Sequence, residues 1–310
     1  MRLIFLGTPL FAVATLERAV QAGHEVLLVV TQPDRPRGRG QHPAAPPVKE
    51  AALRLGLPVY QPERVRRPEA IEHLRALAPE AMVVVGYGQI IPQTVIDLAP
   101  LGIINVHASL LPKYRGAGPI QWAILNGESR TGVTTMRIDA GLDTGDMLLK
   151  AETEIGPDET AVELSQRLAV MGANLLVQTL DGLSRRSITP QPQNSAEATR
   201  APLLKKEDGQ IDWSQPAQAI HNRVRGLQPW PGASTTFRGQ ALHIWRSHPH
   251  AQTSAAPGRF ATLKPPLVGC GAGSLELVEV QMEGRKRMSA ADFVNGQRLT
   301  DNDRLGDTSS

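Results

Sequence analysis

The chain holds one cysteine, Cys270, in 310 residues. A single thiol excludes an intramolecular disulfide and any cysteine-rich zinc site, and it suits a reducing compartment. Of the eight histidines, His24, His42, His73, His107 and His221 are scattered, and no pair has His-Glu-x-x-His spacing, so no metal is expected. No apolar run reaches the ~18 residues that span a bilayer, so no membrane partner is expected. Nor does the start of the chain set a basic region, an apolar core and a cleavage site in order. The expectation is therefore a soluble, cytoplasmic protein. The glycine-rich Gly-x-Gly-x-x-Gly turn is also missing: the turn after the first strand carries only Gly7, which argues against a nicotinamide dehydrogenase. Internal repeats are absent as well.

What is present points to two domains, because 310 residues are too many for one comfortable core. Hydrophobic content of 41% and charged content of 20% are ordinary. A net charge of +3 permits a polyanionic partner without demanding one.

Residues 2–6 read as a strand, followed at Gly7-Thr8-Pro9 by a helix, with Thr8 as its N-cap and Pro9 at its first position. A second strand covers 25–31. Strand, turn, helix, strand opens a doubly wound, Rossmann-like α/β sheet. The segment 32–47 is rich in Pro, Gly and Arg and reads as a long loop without a core of its own. Its Arg35, Arg37 and Arg39, spaced by Pro and Gly, suit an adaptable arm on phosphates. Apolar strands at 81–85 and 103–107 follow. The pattern predicts further helices at 119–126 and 159–180, with strands at 131–138 and 147–155 between them. From 187 the composition collapses into Pro, Gln, Ser and Ala, read as a linker to 205. Beyond it, about five short strands (234–237, 241–246, 258–262, 275–282 and 287–294) suggest a small β-barrel of the oligonucleotide-binding type. Between Lys206 and Thr300 eleven Lys or Arg stand against seven Asp or Glu, a local basic excess of four. The expected division is 1–186, a linker 187–205 and a second domain 206–310.

The densest chemistry lies between residues 103 and 146. Alternation along the strand 103–107 sends Asn105 and His107 to one face and Ile104 and Val106 to the other. A neutral amide donor beside an imidazole, at the carboxyl end of a strand, occupies the ligand crevice of an open α/β sheet. A loop with three carboxylates follows (Asp139, Asp143, Asp146), and one of them could orient the imidazole. Ser109 lacks the Gly-x-Ser-x-Gly elbow of a catalytic serine.

Asn105, His107, Ser109-Leu110-Leu111-Pro112, Arg115-Gly116, Pro119-Ile120-Gln121 and Asp143 resemble the core of the 10-formyltetrahydrofolate-dependent formyltransferases. The likeness runs from about residue 2 to 299, and the last stretch, 300–310, matches nothing in that family. The resemblance implies a catalytic triad of Asn105, His107 and Asp143. It implies a folate-contacting turn at Ser109, Leu110, Leu111 and Pro112, with Gly86, Tyr87 and Gly88 near the pterin. The formyl donor would be 10-formyltetrahydrofolate as a co-substrate. Asn105 would donate to the oxyanion of the tetrahedral intermediate, while His107 would act as base or as a second donor. Within the family the basic loop and basic C-terminal domain resemble the branch whose acceptor is methionyl initiator tRNA. There Arg39 would meet the acceptor stem, and the C-terminal barrel would bind tRNA. A monomer is expected. The alternatives are a formyltransferase acting on a small amine, such as glycinamide ribonucleotide or an amino-sugar nucleotide, or a non-catalytic RNA-binding protein.

Overall fold

A computed structural model describes residues 1–37, 42–252, 255–300 and 302–306. Its strands are β1 (Arg2–Gly7), β2 (Glu25–Val30), β3 (Arg35–Arg37), β4 (His42–Ala44), β5 (Val59–Tyr60), β6 (Ala81–Val85), β7 (Ile103–His107), β8 (Arg130–Arg137) and β9 (Met147–Glu154), then β10 (Ala233–Phe237), β11 (Gln240–His250), β12 (Phe260–Leu263), β13 (Pro266–Gly269), β14 (Ser274–Met282) and β15 (Met288–Ser289). The helices are α1 (Leu10–Gln21), α2 (Pro47–Arg54), α3 (Pro68–Ala76), α4 (Gln93–Ile96), α5 (Pro119–Leu125), α6 (Ala161–Ser184), α7 (Ala217–Gly226) and α8 (Ala290–Gln297). The chain divides into two compact units. One comprises Met1–Ala117, Thr131–Thr153 and Ser165–Ala201, and the other Gly118–Arg130, Glu154–Leu164 and Pro202–Ser310.

The first unit is built on a seven-stranded sheet in the order β5-β2-β1-β6-β7-β8-β9. The strands from β5 to β7 are parallel, while β8 runs antiparallel to β7. Fully buried runs such as Ala-Met-Val-Val-Val in β6 reflect a sheet covered on both faces. Chain order departs from β1 in both directions, so the carboxyl ends of β1, β6 and β7 form the crevice where such sheets hold ligands. This is the doubly wound architecture expected from the sequence.

The second unit holds an antiparallel sheet in the order β10-β11-β14-β13-β12, with β15 added beside β14. Its core includes Trp213, Phe237, Ile244, Leu277 and Phe293.

Several local expectations are corrected. The Thr8 hydroxyl does not cap α1; it donates to the Tyr87 carbonyl at 2.9 Å, and Pro9 occupies the cap in extended geometry with no side-chain bond. The basic segment 32–47 carries two short strands, since β3 and β4 pair antiparallel from Arg35↔Ala44 to Arg37↔His42. The expected strand 287–294 is only the two-residue β15, after which Ser289 caps α8 by accepting the Asp292 N–H at 3.0 Å. β13 is an added strand that the pattern does not predict, being four residues long and starting at a proline. The segment 187–201, read as a linker, lies on the first unit. Gln191 and Met147 exchange both backbone hydrogen bonds (2.8 and 2.9 Å), and the Ala201 N–H donates to the Arg115 carbonyl at 2.7 Å.

Candidate active site

β7 presents the two residues singled out at its carboxyl end. Gly172 of α6 has no side chain, and a Cβ there would stand 2.7 Å from Val106 Cγ1. The helix therefore packs on the Val106 face, and alternation turns Asn105 and His107 to the other. Both are buried, 8% and 6% exposed. The Asn105 amide makes no hydrogen bond among the described residues, which leaves a neutral donor free for a ligand.

His107 is fixed by two groups. Its Nε2 lies 2.9 Å from the Tyr114 carbonyl oxygen. A carbonyl can only accept, so Nε2 carries the proton and Nδ1 is the nitrogen left for proton transfer. Nδ1 stands 3.8 Å from Asp143 Oδ2, close enough for charge to act yet too far for a hydrogen bond. The same Oδ2 accepts the Gly116 N–H at 2.8 Å. Of the three carboxylates in the loop, Asp143 is the one brought to the imidazole. Asp139 instead braces its own turn, accepting from the Gly141 N–H at 3.0 Å and the Thr144 hydroxyl at 2.7 Å. Asp143 adopts φ 52°, a left-handed geometry that Asp tolerates better than most residues. Gly145 is obligatory where it stands, because a Cβ would meet the Arg137 carbonyl oxygen at 2.0 Å.

The turn at Ser109-Leu110-Leu111-Pro112 follows directly. The Ser109 hydroxyl is buried and donates to the Lys113 carbonyl at 2.6 Å, so it holds the turn in shape. Thr134 serves the turn from β8: its hydroxyl donates to the Ser109 carbonyl (2.7 Å) and accepts the Leu111 N–H (3.1 Å). Lys150 Nζ donates to the Leu111 carbonyl at 2.5 Å. Leu111 itself is buried with Met136 and Met147.

After β6, Gly86 and Gly88 take φ +56° and +82°. Tyr87 between them sends its ring into the core, where burial pushes its phenol above the ordinary range. The ring is thus a packing group, and the exposed parts of this turn are its two glycines. The Tyr87 carbonyl accepts from Thr8 and from Gln32 Nε2 (3.1 Å), which ties the turn to the ends of β1 and β2.

Arg35 is exposed at the base of the basic hairpin. Beside it, Asp34 is held below the usual carboxylate range by hydrogen bonds from Gln61 and Lys49. Arg37 lies in β3; Arg39 lies outside the described residues. Five residues around the site escaped the sequence analysis: Tyr114, Thr134, Lys150, Gln193 and Thr199, whose hydroxyl accepts the Tyr114 N–H at 2.8 Å. None sits in a motif: Tyr114 acts through its own carbonyl, and the other four side chains bond backbone groups, which carry no residue-type signature. Among the described residues no group of three or more His, Cys, Asp or Glu could hold a metal ion, and no helix is long and apolar enough to cross a membrane.

A buried imidazole stands between a carbonyl and a carboxylate, with a side-chain amide two residues away at the carboxyl end of β7, an arrangement able to donate to an oxyanion and to move a proton. Residues 1–180 match the family described as formyl transferase, and residues 203–298 match the formyl transferase C-terminal domain. The chain is 73% identical over 308 residues to a methionyl-tRNA formyltransferase of Solibacter usitatus, covering 99% of each. It is 59% identical over 313 residues to one of Koribacter versatilis, covering 100% of each. Among solved structures, an N-formyltransferase from Helicobacter canadensis, in complex with folinic acid and dTDP-3-aminofucose, is similar with TM-score 0.65 and 18% identity, over 89% of this chain and 98% of that one. HypX from Aquifex aeolicus in complex with tetrahydrofolic acid reaches 0.65 at 17% identity, over 95% of this chain and 47% of that one. The chain belongs to the formyl transferase family.

Proposed function

We propose that this enzyme transfers the formyl group of 10-formyltetrahydrofolate to the α-amino group of methionyl initiator tRNA, in the cytoplasm and as a monomer. The reading is carried by full-length similarity to methionyl-tRNA formyltransferases, 73% over both domains. The unprotonated amine attacks the formyl carbon, and the carbonyl oxygen becomes an oxyanion. Asn105 donates its free amide N–H to that oxygen, an interaction of a kind worth ~10²–10³ in rate. His107 takes the proton released by the attacking nitrogen at Nδ1, facing Asp143, whose charge offsets the imidazolium. The bond from the formyl carbon to the folate nitrogen then breaks, that nitrogen gains a proton, and tetrahydrofolate leaves. No acyl-enzyme is needed, because the amine is already a competent nucleophile.

The folate would lie on the backbone of the turn 109–112 and beside Gly86 and Gly88. The arginines of the basic segment 32–47, Arg35, Arg37 and Arg39, would contact the acceptor stem. Residues 1–186 would carry catalysis and 206–310, with their basic excess, would bind tRNA. The test supplies 10-formyltetrahydrofolate with charged initiator tRNA, glycinamide ribonucleotide or a dTDP-amino sugar in parallel. Formylation of the tRNA alone is expected. Turnover of either small amine at a comparable kcat/KM would refute the acceptor, and loss of all three reactions would refute the activity.

A further inference from the structure

Gln193 lies in the Pro- and Gln-rich segment between the two stretches that match the family, 1–180 and 203–298. Its side chain is nevertheless one of the best-partnered polar groups near the site. Nε2 donates to two carbonyls of the carboxylate loop, Asp143 O at 2.9 Å and Gly145 O at 2.8 Å. Oε1 accepts twice from one guanidinium, from Arg115 Nε at 3.0 Å and Nη2 at 2.8 Å. Two donors and two acceptor sites are all that an amide has, and all four are used. The side chain is half-buried, and two residues earlier Gln191 is pinned to Met147 by its paired backbone bonds.

These bonds close a ring around the imidazole. Tyr114 holds His107 Nε2 through its carbonyl, and Gly116 holds the Asp143 carboxylate through its N–H. Arg115, between them in sequence, grips Gln193, which grips the backbone of Asp143 itself. The Asp143 backbone is in the left-handed region, and a non-glycine residue stays there only when its surroundings hold it. Only a side chain that donates and accepts on the same planar group can join a guanidinium to two carbonyls.

We propose that Gln193 is a positioning residue for Asp143: it clamps the loop so that the carboxylate stays on the Gly116 amide and at its distance from His107. The inference rests on the proposed role of Asp143 in formyl transfer. Two variants of the full chain separate the possibilities. Gln193→Glu keeps the acceptor for Arg115 but sets a carboxylate against two carbonyls; Gln193→Met keeps the length and removes every hydrogen bond.

Both are expected to lower kcat about 10–100-fold, the scale of an ångström-level misplacement, with KM for donor and tRNA moving less than about threefold. In an Asp143→Asn background the same substitutions should add less than about twofold, because their effect runs through Asp143. Amide exchange at Gly116 needs no substrate, so it judges the clamp even if the wild-type chain formylates no tRNA. It should quicken by roughly tenfold or more in both variants while β1 and β6 keep their protection. Wild-type exchange at Gly116 in Gln193→Met would overturn the clamp. An equal loss of kcat with and without the Asp143 carboxylate would overturn the positioning role.

Discussion

Thr134→Val removes one oxygen atom and leaves two buried backbone groups without a partner. The hydroxyl accepts the Leu111 N–H and donates to the Ser109 carbonyl, at 3.1 and 2.7 Å, and Thr134, Ser109 and Leu111 are all buried. Valine keeps the branched shape, so no cavity forms. What is lost is the pairing, and an orphaned buried polar group costs about 1–3 kcal/mol. Two such groups, with partial relaxation of the turn, put the loss at about 2–4 kcal/mol. Thr134→Ser is the control, since it keeps the hydroxyl and loses a methyl worth roughly 1 kcal/mol. For a unit of this size the valine variant should melt roughly 4–16 °C lower.

The probe must report the right unit. All four tryptophans (122, 213, 230 and 245) lie in the second unit, and all three tyrosines (60, 87 and 114) in the first. Tyrosine near-UV circular dichroism therefore follows the unfolding that matters, and tryptophan fluorescence does not. If the folate lies on this turn, KM for the formyl donor should also rise more in Thr134→Val than in Thr134→Ser. A valine variant as stable as the serine variant would refute the accounting, because it would show that the hydroxyl bridge does not hold the turn.

Further outcomes follow from the site and from the second unit. His107→Ala, Asn105→Ala and Asp143→Ala should each lower kcat by at least ~10² with little change in tRNA affinity, and their combination should fall far short of additivity; a single variant near wild-type kcat would remove that residue from the mechanism. Arg39→Ala should lower kcat/KM for charged initiator tRNA roughly ten- to a hundredfold, the worth of one charge-assisted hydrogen bond. It should also flatten the log–log salt dependence of tRNA binding by about 0.9 if a duplex phosphate contact is lost, and unchanged turnover at low and moderate salt would leave Arg39 without that role. His221 is buried on Ser247 and the Pro157 carbonyl, and burial lowers its pKa from the ordinary 6.5. The unfolded chain then binds the extra proton first, so stability is full above about pH 6.5 and falls as pH drops toward the lowered folded value. His221→Gln should flatten that slope in the tryptophan-detected unfolding, and an unchanged slope would acquit this histidine.

The linear order of residues was enough to determine the doubly wound sheet, because buried parallel strands are written as short β-branched runs separated by helices. It also placed Asn105 and His107 together, since a two-residue period leaves no other choice. It could narrow the acidic partner only to three carboxylates in one loop. Choosing Asp143 among them took the resemblance to a family, and bringing it within 3.8 Å of Nδ1 took the fold. Chain folding also decided what surrounds the pair. The Tyr114 carbonyl that sets the His107 tautomer is a backbone group, identical in every residue type, so no motif announces it. The segment around Gln193 reads as a linker because its composition offers nothing to a hydrophobic core. Yet it is held by hydrogen bonds to Arg115 and to the loop 50 residues away, and such bonds depend on closeness in space. For the same reason Thr8 looked like a helix cap until the end of β6 brought the Tyr87 carbonyl within reach of its hydroxyl. Apolar periodicity writes the layers of this protein into its sequence. Which polar atoms meet across those layers is settled only when strands distant along the chain lie side by side.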